Sequence, residues 1–438
     1  MPLKHINYIY STLMGVAFAM SGHAQTDSMR ISIQQLFNLG TENSLKLSAD
    51  KLKEQMAYER TQTANMAKLP NVEIGLRGGV IGQPVVWQNG LSNPTRPDTP
   101  DWQQNYAIDF SQPLYQGGRI KYSVRKAGIE HESAMLQTAN DRADIKLSLL
   151  EQYLGLFSLY KQCKVLNRNI EESERRLKDI RRMEKEGLIT NNDVLRSEMQ
   201  LTENRLSLRE TENNIRLVSQ QLDILLGLDE NLLLTPDTTL LEQDFTTSSY
   251  TDYVNRAFMS EPYMLMLQKQ TELAQNNVRM VKAEKMPQLS LTASNTLARP
   301  VSRTMADMYN NNWNIGLSLS YSLSSLYKYR HRMNEAKQGI ILSRNAEEQQ
   351  KQNIRTSVKA ALLKHHEAID RVEALKLSVR QAEENYRIMN NRYLNQLAIL
   401  TDLLDADNLR LNAELQLTTA RTRVIYTYYE LQRSIGNL

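Results

Sequence analysis

Residues 393–406, YLNQLAILTDLLDA, lie between two long segments whose apolar residues follow a heptad spacing. The segment before this stretch contains no proline from about residue 327, and the segment after it continues to the C-terminus. The stretch therefore predicts the turn of an antiparallel helical hairpin. Asp402 and Asp405 are three residues apart, so on a helix they share a face. A similar, shorter stretch at residues 187–195, GLITNNDVL, predicts a second turn. When the two stretches are aligned, Asp193 matches Asp402, and Arg196, which follows the shorter stretch, matches Asp405.

The segment before the first turn predicts a very long helix. Apolar residues recur every seven positions in the proline-free segment of about 121–186: Leu149, Leu156, Cys163, Ile170 and Leu177. This period predicts a left-handed coiled coil. About 66 residues at about 1.5 Å each give a rod of about 100 Å, which a globular core does not need. After Gly187, Thr190 and Asp193 predict a capping box that starts the partner helix.

Four short segments have the alternation of strands with one apolar face: around 72–76, 106–110, 289–291 and 313–323. Helices are predicted over 30–69, ended by Pro70, and over 250–286, ended by Pro287. Residues 82–102 predict a long irregular loop, and the second strand is predicted to stop at Pro113. The order helix, strand, loop, strand, long helix, short helix thus occurs twice. We interpret this as an internal duplication, with repeats at 25–228 and 250–438 joined by a connector at 229–249.

The first 24 residues predict a secretory signal peptide. Lys4 precedes an apolar run at 6–20, and Gly22 and Ala24 form a cleavage site of small residues. With Cys163 as the only cysteine, neither a disulfide framework nor an N-terminal lipid anchor is expected in the exported chain. A net charge of +4 over 438 residues implies no strongly basic face, which argues against a nucleic-acid partner. No apolar run of about 18 residues follows the signal region, so no transmembrane helix is predicted.

The strands have the length of tilted transmembrane β-strands, which is about ten residues. Four strands cannot close a barrel, and open edges are not tolerated in lipid. We therefore predict that several copies share one barrel, and three copies give about twelve strands. Aromatic residues near the strand ends fit interfacial girdles: Trp87, Trp102, Tyr106, Tyr115, Tyr309, Trp313, Tyr321 and Tyr327. A small antiparallel sheet packed on helices is the alternative interpretation.

Small residues at Ala406, Ala413 and Ala420 are spaced by one heptad on the seam of the last helix. A two-stranded coiled coil would prefer leucine at such positions. Small residues let helices approach closely, so this spacing favours many helices packed side by side in the wall of a cylinder.

The motif PLYQGGR at residues 113–119, followed by Ala127, resembles the strand-to-helix junction of TolC-like outer-membrane efflux proteins. Residues 393–406 resemble the periplasmic entrance of that family, and Asp402 and Asp405 fall on the two aspartates that ring its pore. The resemblance covers essentially the whole mature chain. It implies a mixed α/β membrane protein, a trimeric β-barrel of twelve strands (four per protomer) continued by a long α-helical coiled-coil barrel. It also implies a homotrimer in outer-membrane lipid that extends into the periplasm and works with a periplasmic adaptor (a membrane fusion protein) and an inner-membrane RND or ABC transporter.

The function implied by the resemblance is a passive exit duct of a tripartite efflux or secretion system, with an acidic periplasmic entrance. On a threefold axis, Asp402 and Asp405 become a carboxylate ring that favours cations. Tyr393 and Asp193 match positions of the network that closes the entrance in this family, whereas Ala398 replaces its basic residue. The alternative role for the acidic residues is helix capping, since the helix dipole favours acids at the N-terminus.

Enzymatic motifs are absent from the sequence, which contains no Gly-rich phosphate loop, no metal-spaced Cys/His set and no nucleophile elbow. His365 and His366 are adjacent, so on a helix they point apart. Cys163 lies on the heptad seam and is expected to be a core thiol. We therefore expect no catalytic activity, cofactor or metal. Two other non-enzymatic interpretations remain, a periplasmic coiled-coil adaptor and a structural coiled-coil protein of the envelope.

Overall fold

The computed structural model describes residues 28–88, 90–97, 100–237, 247–299 and 307–438, and the predicted signal peptide at 1–24 lies outside these ranges. The helices are α1 (Ile33–Glu42), α2 (Leu45–Met66), α3 (Arg119–Lys185), α4 (Asn191–Leu226), α5 (Tyr250–Ser260), α6 (Pro262–Glu284), α7 (Ser324–Leu394) and α8 (Leu400–Ser434). The strands are β1 (Ser28–Ile31), β2 (Asn71–Val80), β3 (Val86–Gln88), β4 (Ser92–Thr95), β5 (Trp102–Tyr115), β6 (Leu233–Pro236), β7 (Gln288–Arg299) and β8 (Asn310–Ser320).

The two predicted rods are α3, with 67 residues, and α7, with 71 residues. Helix α3 packs against α4, α7 packs against α8, and α3 also contacts α8, so the two hairpins lie side by side. The predicted seam is confirmed, because Leu149, Leu156, Ile170 and Leu177 are buried and Cys163 is half-buried. The small residues of the last helix, Ala406, Ala413 and Ala420, are buried as well. Among the described residues, no helix is both long and apolar enough to cross a membrane.

Strands β2, β5, β7 and β8 form one antiparallel sheet in that order. Paired residues share a face, and the register gathers apolar side chains on one of them: Val72, Ile74, Leu76, Tyr106, Ile108, Phe110, Leu289, Leu291, Trp313, Ile315, Leu317 and Leu319. The other face carries mostly polar side chains: Glu73, Arg77, Asn105, Asp109, Thr292, Ser294, Thr296, Asn312, Asn314 and Ser318. Every residue of β8 is exposed. Within the described residues, β2 and β8 each pair on one side only, so both edges of the sheet are open.

Several boundaries differ from the sequence prediction, including that of β8, which ends at Ser320 and not at Leu323. Strand β5 continues past Pro113 to Tyr115, because the proline sits at an irregularity in the pairing with β7 and removes no required hydrogen bond. Residues 82–102 are not wholly irregular, since β3 and β4 form a small hairpin there. Each predicted first helix is broken in two, at Ser44, whose hydroxyl caps α2, and at Glu261, which caps α6 before Pro262.

The sequence pattern also missed a short parallel pairing between β1 and β6, which ties the connector to the start of the described chain. Both strands have only four residues, too few for a periodic signal. Tyr153 of α3 fastens this pair, because its hydroxyl donates to Ile31 O at 2.9 Å and accepts from Asp237 N at 2.8 Å. Burial raises the pKa of Tyr153 to about 12, so the phenol stays protonated and keeps both bonds.

Candidate functional site

The turns at the ends of the two hairpins have the same backbone hydrogen bonds. After α3, Leu188 N donates to Met183 O at 2.9 Å, and after α7, Leu397 N donates to Arg392 O at 2.8 Å. This is the Schellman motif, which requires a left-handed residue just beyond the helix. Gly187 supplies it in the first turn with φ 73°. In the second turn Gln396 holds φ 59°, a conformation that costs a side chain about 1–2 kcal/mol.

The helices that leave the two turns begin differently. The predicted capping box of α4 is confirmed, because Asp193 Oδ2 accepts hydrogen bonds from Thr190 N at 3.1 Å and from Thr190 Oγ1 at 2.9 Å. The N-cap of α8 is Ile399, which has no hydroxyl, and α8 has no side-chain cap hydrogen bond. Asp193 therefore caps the N-terminus of α4, whereas Asp402 forms no equivalent capping box at the start of α8.

Asp402 and Asp405 are both exposed on the first turns of α8. Leu403 and Ala406, one position further along, are buried against the neighbouring helices. The two carboxylates thus share an outward face, as their spacing predicts. Neither carboxylate forms an ion pair with another described residue of the same chain, which leaves both charges available beyond the protomer.

The two turns also contact each other. Arg196 Nη1 donates to Thr401 Oγ1 at 2.6 Å, which links the start of α4 to the start of α8. Tyr393 is buried in an apolar cluster with Val194 and Leu403. Its hydroxyl has no hydrogen-bond partner among the described residues. Burial raises the pKa of Tyr393, and the negative charge of Asp193 adds to that shift.

A buried polar cluster that the sequence analysis missed lies further along the hairpins. Its members come from all four long helices: Asn169, Glu172 and Arg176 of α3, Asn204 of α4, Tyr386 of α7, and Asp407 and Arg410 of α8. We call it the Asp407 cluster, since Asp407 is 2% exposed and accepts from three side chains. They are Arg176 Nη2 at 2.5 Å, Arg410 Nη2 at 2.9 Å and Asn169 Nδ2 at 3.2 Å.

The remaining contacts of the Asp407 cluster lie within and between the two hairpins. Asn204 Nδ2 donates to Asn169 Oδ1 at 2.6 Å within the first hairpin, and Arg410 of the second hairpin forms an ion pair with Glu172 of the first. The Arg410 guanidinium lies 4.0 Å from the centre of the Tyr386 ring, whose hydroxyl accepts from Arg176 Nη1 at 3.1 Å. Burial raises the pKa of Tyr386, so it remains a neutral donor and acceptor. Because a buried pair is strongly destabilised when one partner is lost, the cluster fixes how the hairpins meet.

The chain thus combines an open four-stranded sheet, which has one apolar and one polar face, with two long helical hairpins. The chain is similar to solved channels of this kind. VceC of Vibrio cholerae has a TM-score of 0.74 and 16% identity, over 92% of this chain and 96% of that chain. CmeC of Campylobacter jejuni has a TM-score of 0.72 and 14% identity, over 92% and 85%. CusC has a TM-score of 0.78 and 14% identity, over 96% of each. At these identities the likeness concerns the fold.

Residues 254–437 match the outer membrane efflux protein family. No significant match was found among curated proteins. The resemblance to TolC-like outer-membrane efflux proteins is thus confirmed, and the family match supports the predicted location in the outer membrane.

Proposed function

We propose that three copies of the chain form the outer-membrane channel of a tripartite efflux or secretion system. The observation that carries the proposal is the sheet of β2, β5, β7 and β8, whose two edges are open and whose two faces differ in polarity. In lipid, unpaired backbone groups at an edge cost several kcal/mol each, so the edges must meet other copies. Pairing β8 of one protomer with β2 of the next closes a barrel of about twelve strands in three copies.

The polarity of the two sheet faces fits such a barrel. The apolar face, which includes Ile74, Ile315 and Leu317, would contact lipid, and the polar face, which includes Asn312 and Asn314, would line a watery channel. Continuing from the strands, the hairpins α3–α4 and α7–α8 of three chains would form the wall of a helical tunnel. In this arrangement residues 25–228 and 250–438 are two repeats of one unit, and 229–249 connects them.

The far end of this tunnel would be its periplasmic entrance, where a periplasmic adaptor and an inner-membrane RND or ABC transporter deliver the cargo. A threefold axis would gather Asp402 and Asp405 of the three chains into a ring of carboxylates. Such a ring at a narrow mouth concentrates cations and repels anions. Tyr393 and Asp193 would hold the second hairpin against the first, because Tyr393 is buried beside the helix that Asp193 caps.

Single-channel recording of the purified protein in planar bilayers tests the entrance. Asp402→Ala with Asp405→Ala should lower the permeability ratio of cations to anions and weaken block by polyvalent cations. Asp179→Ala with Glu184→Ala, on the first hairpin, is the matched control and should leave both unchanged. Unchanged selectivity and block in the Asp402/Asp405 variant would refute the acidic entrance.

Membrane fractionation tests the channel itself. The protein should be found in the outer-membrane fraction as a heat-modifiable trimer. A soluble or inner-membrane species would favour the adaptor or the structural envelope protein instead, and would overturn the proposal.

A further inference from the structure

A surface groove of about 430 Å³ lies where α2 ends, β5 ends and α3 begins. We call it the junction groove, and it is lined by Lys68, Pro113, Leu114, Tyr115, Gln116, Gly118, Ile120, Lys121 and Val124. None of these residues is acidic. The groove therefore combines an apolar floor with two lysines and no counter-charge in its lining.

The junction groove opens at the helical end of the apolar sheet face. Tyr115 pairs with Leu289, and Leu289 pairs with Leu319, so the three residues point to the same side of the sheet. The groove is thus continuous with the surface that contacts lipid in the proposed barrel, at its periplasmic rim. This placement rests on the proposed function.

The positions of the two lysines are fixed by the fold. Gln112 Nε2 of β5 donates to Lys68 O at 2.9 Å, which holds the end of α2 against the strand. Lys121 follows a tight turn at Gly117, where a Cβ would lie 2.4 Å from Met286 Cβ of the segment after α6. Both lysine side chains are exposed, and Lys68 Nζ donates to the neutral Asn65 Oδ1 at 2.8 Å.

The same basic pattern occurs at the second strand-to-helix junction. Lys68-Leu69-Pro70 corresponds to Lys285-Met286-Pro287, and Lys121-Tyr122 corresponds to Lys328-Tyr329. Lys285 and Lys328 are exposed as well.

The arginines one helical turn further along have acidic partners. Arg125 pairs with Glu272 of α6, and Arg332 pairs with Glu284 of α6. The four junction lysines form no such ion pair with a described residue. The lysine charges at the membrane rim thus stay uncompensated, whereas the arginine charges one helical turn away are neutralised. This difference favours an anionic ligand at the rim.

We propose that the junction groove binds the phosphate headgroup of an anionic glycerophospholipid in the periplasmic leaflet. The ammonium groups of Lys68 and Lys121 would bind the phosphate, while Leu114, Ile120 and Val124 would contact the start of an acyl chain. Lysines commonly extend along apolar surface to reach the interface, and each one near an anionic membrane surface strengthens binding about fivefold. Tyr115 would lie at headgroup level, where amphipathic rings concentrate.

Tryptophan quenching by brominated lipid tests the proposal. In a full-length chain with Trp87, Trp102 and Trp313 replaced by Phe, Tyr115→Trp places the only tryptophan in the groove. The trimer is reconstituted in phosphatidylcholine vesicles that contain either brominated phosphatidylglycerol or brominated phosphatidylcholine at the same fraction. The anionic lipid should quench more strongly, and Lys68→Ala and Lys121→Ala should each lower its relative affinity about fivefold.

Two controls separate the outcomes. Lys178→Ala with Lys185→Ala, in the part of α3 far from the junction, should leave the lipid preference unchanged, and Lys68→Arg with Lys121→Arg should retain it. Equal quenching by both lipids, or a preference that survives loss of both lysines, would overturn the headgroup site. A groove that neither lipid quenches would show that a neighbouring protomer covers it, which also overturns the proposal. A second chain that keeps Trp313 as its single tryptophan reports on the barrel itself. If lipid quenches Trp313 but the Tyr115→Trp chain shows no lipid preference, the proposed channel stands and only the headgroup site is rejected.

Discussion

Replacing Asp407 by Asn should loosen the contact between the two hairpins. Asparagine keeps the size of the side chain but removes the charge that faces Arg176 and Arg410, which are 8% and 9% exposed. Glu172 then remains as the single carboxylate for two buried guanidinium groups. Breaking a buried ion pair by removing one partner typically costs about 3–5 kcal/mol.

Hydrogen exchange of the purified protein, followed by mass spectrometry, measures this loss locally. If the hairpins open independently of the barrel, 3 kcal/mol raises the exchange rate of protected amides in α3 and α8 near the cluster about 150-fold. Asp405→Asn is the matched control, because Asp405 is exposed on the same helix and its loss should change stability by less than about 0.5 kcal/mol. Equal exchange rates in the two variants would refute the assignment of Asp407 as the main electrostatic contact between the hairpins.

A compensating variant tests the physical reason. Replacing Asp407, Arg176 and Arg410 together by apolar residues of similar volume removes the three buried charges, and Glu172, whose side chain is 30% exposed, stays in contact with water. Such replacements are often neutral or stabilising. The triple variant should therefore exchange more slowly than Asp407→Asn alone, and an equally fast exchange would show that the cluster acts through shape and not charge.

Three further predictions concern single positions. Gln396→Gly relieves the left-handed backbone of the second turn and should stabilise it by about 1 kcal/mol, measured as slower amide exchange in residues 392–400, whereas Gly187→Gln should do the reverse in the first turn. Gly117→Ala should lower the melting temperature of the trimer through a cost of about 2–4 kcal/mol, because its φ is 61° and the added Cβ would meet Met286 Cβ at 2.4 Å. Asp223 is fully buried, and burial, with a smaller effect of the Asp229 charge, raises its pKa to about 6. The folded state thus binds the proton more tightly than the unfolded state, so stability is greatest below the ordinary pKa of about 4 and is lost as the pH rises through about 6. Thermal unfolding from pH 4 to 8 should show this loss in the wild type and a flatter profile in Asp223→Asn.

The long elements could be predicted from the sequence because their signals are repeated many times. Heptad spacing located α3, α4, α7 and α8, and alternation located β2, β5, β7 and β8, with errors at the ends of β5 and β8. The positions of Asp402 and Asp405 beside the second turn could be predicted because both lie in one short, distinctive stretch. The short strands β1 and β6 were not found, because four residues carry no period and their pairing partner lies about two hundred residues away.

The Asp407 cluster was missed for a different reason. Its members are single polar residues on four separate helices, several of them beside the heptad seam and not on it, and their sequence numbers do not show that they meet. Asn204 could have signalled it, because it lies three residues after Leu201, and a polar residue at a coiled-coil core position often fixes register. Asp407 and Arg410 are also spaced to pair on one helix. Nothing in the sequence, however, shows that Arg176 of another hairpin completes the group.

The open edges of β2 and β8 also have a genetic consequence. If three chains close one barrel, each chain pairs its β2 edge with one neighbour and its β8 edge with the other. A chain with a damaged edge, for example one with proline in the middle of β8, therefore disables every trimer that it enters. When such a chain and the wild-type chain are made in equal amounts and mix at random, only about one trimer in eight is free of it. Mutations at these edges should thus be dominant, whereas mutations on the outer faces of the hairpins should be recessive.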